Sequence, residues 1–243
     1  MKKQIKKFFA GLALLSVELL AVWILFLAAF IGFIFVVFRV FYFKKEAFDF
    51  AVFDYLERFV SDGMSKFMLF ITYLGTHYFL IPANLVLIIY FLFIKKHRWY
   101  SIKVPVVALG GLSLMFGLKF LFNRPRPLIP LLKEAAGLSF PSGHALMSFS
   151  FYGLLIYLVW RHVKKIWLRN VLIISLFVLI FLIGFSRVYL RVHYASDVMA
   201  GFCVGAIWLV LSLWVTRRIE TYSRKEIEPE IKAEPVTQIK NKQ

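Results

Sequence analysis

Long apolar runs separated by short polar clusters set the pattern of this chain. A hydrocarbon core of about 30 Å takes roughly 20 apolar helical residues to cross, and residues 19–38 meet that length without one charge. Residues 67–94, 104–122, 145–160, 168–185 and 198–215 read the same way. Six membrane-spanning helices are predicted. The second run is broken by Gly75, His77 and Pro82, so its first turns are expected to be buried in protein and not in lipid.

Between the first two runs lies the segment 44–66. There Phe48, Val52, Leu56 and Phe59 recur at helical spacing, while Asp49, Glu57 and Arg58 fall elsewhere on the wheel. That pattern predicts an amphipathic helix in the membrane interface. It would serve either to guide a lipid or simply to connect two spans. Residues 219–243 mix Lys and Glu with Pro229 and Pro235 and carry few aromatics. Such a composition buries too little to fold, so a disordered charged tail is expected after one membrane domain, residues 1–218.

The chain has 243 residues, 61% of them hydrophobic. That is far more apolar surface than one soluble core hides, and the bilayer must act as solvent. A net charge of +17 raises the question of nucleic acid, but the basic residues lie mostly beside helix ends in alternate loops, as the positive-inside rule requires. Lys2, Lys3, Lys6 and Lys7, then Lys95, Lys96, Arg98 and Lys103, then Arg161, Lys164, Lys165 and Arg169, and finally Arg217, Arg218, Arg224 and Lys225 mark cytosolic ends. Both termini are therefore expected in the cytosol. The loop 39–66 balances its five basic residues with five acidic ones, as an external loop can. The first run is too long for a signal-peptide core and reads as an uncleaved anchor. The single Cys203 reads as a packing residue.

Three polar clusters should emerge on the external side. Lys119 closes the third span, and Asn123-Arg124-Pro125-Arg126-Pro127 leaves it, because each proline disfavours helix in the residue before it. Arginine offers a planar fork to phosphate oxygens and lysine a mobile point charge. Pro141-Ser142-Gly143-His144 opens the fourth span. Ser142 is a candidate N-cap, and Gly143 lets an anion approach the free N–H groups of the helix start. His193 and Asp197 are four residues apart, so one helical face would let the carboxylate accept from the imidazole and leave the other ring nitrogen as nucleophile or base. Arg187 would hold a phosphate oxygen or else pair with Asp197. So many ionisable groups at membrane depth form a functional hypothesis by default. A zinc site built from His144, His193 and Asp197 is disfavoured by the cations around it.

Lys119, six residues, Arg126-Pro127; Pro141-Ser142-Gly143-His144; and Ser186-Arg187, five residues, His193, three residues, Asp197 together resemble the three motifs of the type 2 phosphatidic acid phosphatase (PAP2) superfamily. The resemblance covers residues 119–197 and implies an all-α integral membrane bundle of six transmembrane helices, with the amphipathic segment between the first and second. It further implies a phosphatase acting on a lipid phosphate or diphosphate, with phosphatidylglycerophosphate, phosphatidic acid and undecaprenyl diphosphate as candidate classes. His193 would form a phosphohistidine, Asp197 would orient it and His144 would protonate the leaving oxygen. Lys119, Arg126, Ser142, Gly143 and Arg187 would hold the phosphoryl group, with no cofactor or metal. Arg124 departs from the minimal pattern and is left as either a further phosphate contact or a structural residue. The expected partners are the lipid substrate and the bilayer, with no nucleic acid and no obligatory protein. The expected location is a bacterial inner membrane, with the active site on its periplasmic or extracellular side. A phosphotransferase on the same site and a non-enzymatic phospholipid transporter are the alternatives.

Overall fold

The structure is a computed structural model that describes residues 2–128, 130, 131 and 137–227, with the side chains of 2–19 left aside. Eight α-helices carry the fold among the described residues. They are α1 (Lys2–Val37), α2 (Ala47–Glu57), α3 (Asp62–Tyr73), α4 (His77–Ile89), α5 (Arg98–Phe122), α6 (Gly143–His162), α7 (Ile166–Tyr189) and α8 (Ala195–Tyr222). Single π-helical turns prolong α1, α4 and α8. Among the described residues six spans are long and apolar enough to cross a membrane, with α3 and α4 together making the second. The architecture is all-α, as the apolar pattern required.

Helix α6 is the hub, packed against α5, α7 and α8, while α8 also lies along α1. Small residues set the closest approach. A Cβ on Gly201 of α8 would stand 2.7 Å from the carbonyl oxygen of Ser142 and 2.8 Å from the Ala145 side chain. The starts of α6 and α8 can therefore lie side by side only because that position is glycine. Their contact is sealed where the Ser142 N–H donates to the Asp197 carbonyl at 3.0 Å.

The second span breaks between Tyr73 and His77, where the sequence placed Gly75 and His77. A Cβ on Gly75 would meet Ile183 at 2.5 Å and the Ser148 hydroxyl at 2.9 Å, so the chain passes tightly over α6 and α7 there. After the bend His77, at the start of α4, lines the same cavity as His144.

Helix α2 forms where expected and packs Val52 and Leu56 of its predicted stripe on the bundle. Asp49, Phe53 and Leu56 are buried, whereas Phe48 and Phe59 of the predicted stripe stay exposed. Asp49, 1% exposed, is accommodated inside because it finds an ionic partner there in Arg124. At the far end of the bundle, Lys103 is 4% exposed and pairs with Glu220 at 2.7 Å, tying α5 to α8. Helix α8 continues past Arg218 to Tyr222; of the expected tail, residues 228–243 lie outside the described residues.

Candidate active site

Two helix starts and two helix ends meet at one end of the bundle. Asn123 adopts a left-handed conformation (φ 42°) and returns its N–H to the Lys119 carbonyl, a C-terminal cap that asparagine tolerates. The chain then turns out through Arg124 and Arg126. Lys119, Arg126, Gly143, His144, Arg187 and His193 line a single cavity of about 760 Å³. Three segments far apart in sequence thus converge. Ser142 and Asp197 do not reach its wall; both are fully buried just behind it.

His193 precedes α8 and Asp197 sits in its first turn. Their closest approach, Nδ1 to Oδ2, is 3.6 Å, too long for a hydrogen bond. Ser139 fills the step: its hydroxyl donates to Asp197 Oδ2 and lies 3.3 Å from His193 Nδ1. A hydroxyl has one proton, and the carboxylate takes it. Toward His193 the Ser139 oxygen therefore only accepts, so Nδ1 carries the ring proton and Nε2 keeps its lone pair. The direct imidazole–carboxylate bond anticipated from the spacing is not made; the two residues are neighbours with a serine between them that the spacing does not reveal.

Asp197 is held from three sides. Besides Ser139, its Oδ2 accepts from the Tyr194 N–H at 3.0 Å, and its Oδ1 accepts from Arg124 Nη1 at 2.7 Å. Arg124 also reaches Asp49 of α2 at 2.9 Å, donates to the Ser196 hydroxyl at 2.8 Å and stacks on Tyr194 at 4.0 Å. Asp49 in turn accepts from the Ser196 N–H and hydroxyl. Arg124 is therefore a structural residue, and it supplies the ionic partner of Asp197 that the sequence offered to Arg187. The residue signal for Asp49 was an acid among aromatics; nothing in spacing marked Ser139 or Ser196.

The cations on the cavity wall are braced by backbone or hydroxyl oxygen. Lys119 donates to the Leu138 carbonyl, Arg126 to the carbonyls of Gly137 and Val192, and Arg187 to the Thr72 hydroxyl at 2.7 Å. Buried polar atoms normally find partners, yet Arg187 Nε, His144 Nε2 and Ser142 Oγ have none among the described residues. Ser142 occupies the N-cap position without making a cap bond. This cluster of unspent donors beside lysine and arginine suits an oxyanion.

Burial pushes the His193 imidazole down to about 4, against the opposing pull of Asp197. At that value the ring is neutral at physiological pH. Burial likewise holds Arg126 below the ordinary arginine value, with Asp197 opposing. Arg124 goes the other way: burial opposes its charge, but Asp197 and Asp49 together outweigh that and raise it.

A membrane-spanning helical bundle that gathers cations and two histidines at its helix ends is the framework of a membrane phosphoryl-handling protein. The chain belongs to the PAP2 superfamily, whose sequence profile matches residues 100–220. It is 29% identical over 163 residues to phosphatidylglycerophosphatase B of Bacillus subtilis (strain 168), covering 67% of this chain and 80% of that one. It is 28% identical over 177 residues to an undecaprenyl-diphosphatase of Sulfolobus acidocaldarius, covering 70% and 78%. The crystal structure of a transmembrane PAP2-type phosphatidylglycerolphosphate phosphatase from Bacillus subtilis superposes with a TM-score of 0.73 at 25% identity, over 80% of this chain and 96% of that one.

Proposed function

We propose that this protein is an integral membrane phosphatase that hydrolyses a lipid phosphate or diphosphate through a phosphohistidine at the outer face of the membrane. One observation carries the reading. The cavity joins a cationic head, holding His144 and His193, to an apolar arm between α4 and α5 lined by residues such as Leu85 and Leu109. A charged headgroup and its hydrocarbon tail fit such a space together. The relatives named for phosphatidylglycerophosphate and undecaprenyl diphosphate support a lipid substrate of that kind.

In this mechanism His193 Nε2 attacks phosphorus as the bond to the lipid oxygen breaks, and His144 gives that oxygen a proton. Water then attacks phosphorus as the phosphorus–nitrogen bond breaks and returns its electron pair to His193 Nε2, His144 takes the water's proton, and phosphate leaves. Lys119, Arg126, Gly143 and Arg187 on the cavity wall stabilise the charge spread over the equatorial oxygens, which is where most of the catalysis of phosphoryl transfer lies, and Ser142 backs them from just behind. No step calls for a metal. The basic loops at the opposite end, such as Arg161 to Arg169, support an external site by the positive-inside rule.

The test is phosphate release from a panel of lipid phosphates in detergent. His193→Ala should lower the rate by roughly 10³-fold or more while the protein still inserts, and the wild-type rate should be the same with EDTA. Undiminished activity of the variant would rule out the nucleophile assignment, and product found on another lipid in place of free phosphate would mark a transferase.

A further inference from the structure

The apolar arm of the cavity contains one polar side chain. Leaving aside the charged and histidine residues of the head, the walls are aliphatic or aromatic except at Asn84 on α4. An amide inside a membrane span costs free energy unless it is used, so a polar residue there is a functional candidate by default. Asn84 is half-buried and spends one N–H on the Leu80 carbonyl at 2.7 Å. An asparagine amide offers two donors and two acceptor sites. Its second N–H and its carbonyl oxygen take no partner among the described residues.

Its depth is informative. Asn84 lies seven residues beyond His77, two helical turns and roughly 10 Å below the head of the cavity. On α5, Leu112 lies seven residues from Lys119 and lines the same cavity. A substrate whose phosphate sits in the head would present to Asn84 whatever group it carries about 10 Å down.

From these positions we infer that Asn84 is a specificity-determining residue, donating its free N–H to the ester carbonyl of a glycerolipid. The inference rests on the phosphatase reading above and selects within it. In a phosphatidylglycerophosphate-type lipid the ester carbonyl follows the terminal phosphorus by about eleven covalent bonds, a span on the order of 10 Å in a partly folded headgroup. In phosphatidic acid about five bonds separate them, roughly half that reach. A polyprenyl diphosphate has only hydrocarbon at this level and leaves the amide unpaired.

The experiment compares kcat/KM for diacyl phosphatidylglycerophosphate with that for its dialkyl ether analogue, which lacks the carbonyl. The wild type should prefer the ester by about five- to tenfold, the worth of one neutral hydrogen bond, and Asn84→Leu should bring the ratio close to one. With phosphatidic acid the ester and ether forms should be cleaved alike by both proteins. The ether comparison in the wild type needs no variant to fold. Equal rates on the two phosphatidylglycerophosphate analogues in the wild type, or an undiminished preference in Asn84→Leu, would overturn the inference while leaving the phosphatase reading intact. Absence of phosphate release from every lipid would overturn both.

Discussion

The hydroxyl of Ser139 lies between His193 Nδ1 and Asp197 Oδ2, two atoms 3.6 Å apart. Remove it and the imidazole loses the acceptor that fixes its tautomer, because the carboxylate is out of hydrogen-bonding reach. Hydrogen bonds to charged groups are worth about 1.5–3 kcal/mol, so Ser139→Ala should lower kcat roughly ten- to a hundredfold with little change in KM. An equal loss in both would instead indicate a disordered site. His193 sets the acid limb of the pH profile. Since burial depresses His193 to about 4, the competent neutral imidazole persists through neutral pH and is lost only as pH falls through about 4. The acid limb of kcat/KM should lie there; a His193 limb near the ordinary histidine value would mean a hydrated ring.

At the scale of elements, the short helix α2 is fastened to the site and is more than a connector. Asp49 holds Arg124 at 2.9 Å and Arg124 holds Asp197 at 2.7 Å, so one chain of charges runs from α2 to the first turn of α8. Removing one partner of a buried ion pair leaves the other charge uncompensated, at a cost of about 3–5 kcal/mol. Asp49→Ala should therefore lower the thermal unfolding midpoint in detergent and reduce activity, although residue 49 is absent from the cavity wall. An unchanged midpoint would show that Arg124 is satisfied by Asp197 alone. The sequence marked α2 correctly as an amphipathic helix, with Val52 and Leu56 of its stripe packed on the bundle, but did not reveal that Asp49 is buried. Periodicity weighs every phenylalanine as inward-pointing, and in lipid an outward phenylalanine is equally content.

For the whole molecule, the distribution of charge and the position of the site make one joint prediction. The helix starts that carry His144 and Ala195 should face away from the cytosol. A cysteine introduced at the exposed Asp54 of α2, in a chain with Cys203 replaced by alanine, should react with a membrane-impermeant maleimide added to intact cells. Labelling only after the membrane is opened would invert the proposed orientation.

Local chemistry determined a good deal unaided. Apolar run length fixed the spans, the prolines after Asn123 ended α5, and the three motif spacings nominated His144, His193, Asp197 and the cations, since each depends on residues near one another along the chain. The exchange of Arg187 for Arg124 as the partner of Asp197, the serine bridge at His193, the inward turn of Asp49 and the amide of Asn84 in an apolar arm were decided only by tertiary structure. These are contacts between distant segments, set by which faces of eight helices can pack together. No periodicity records that choice.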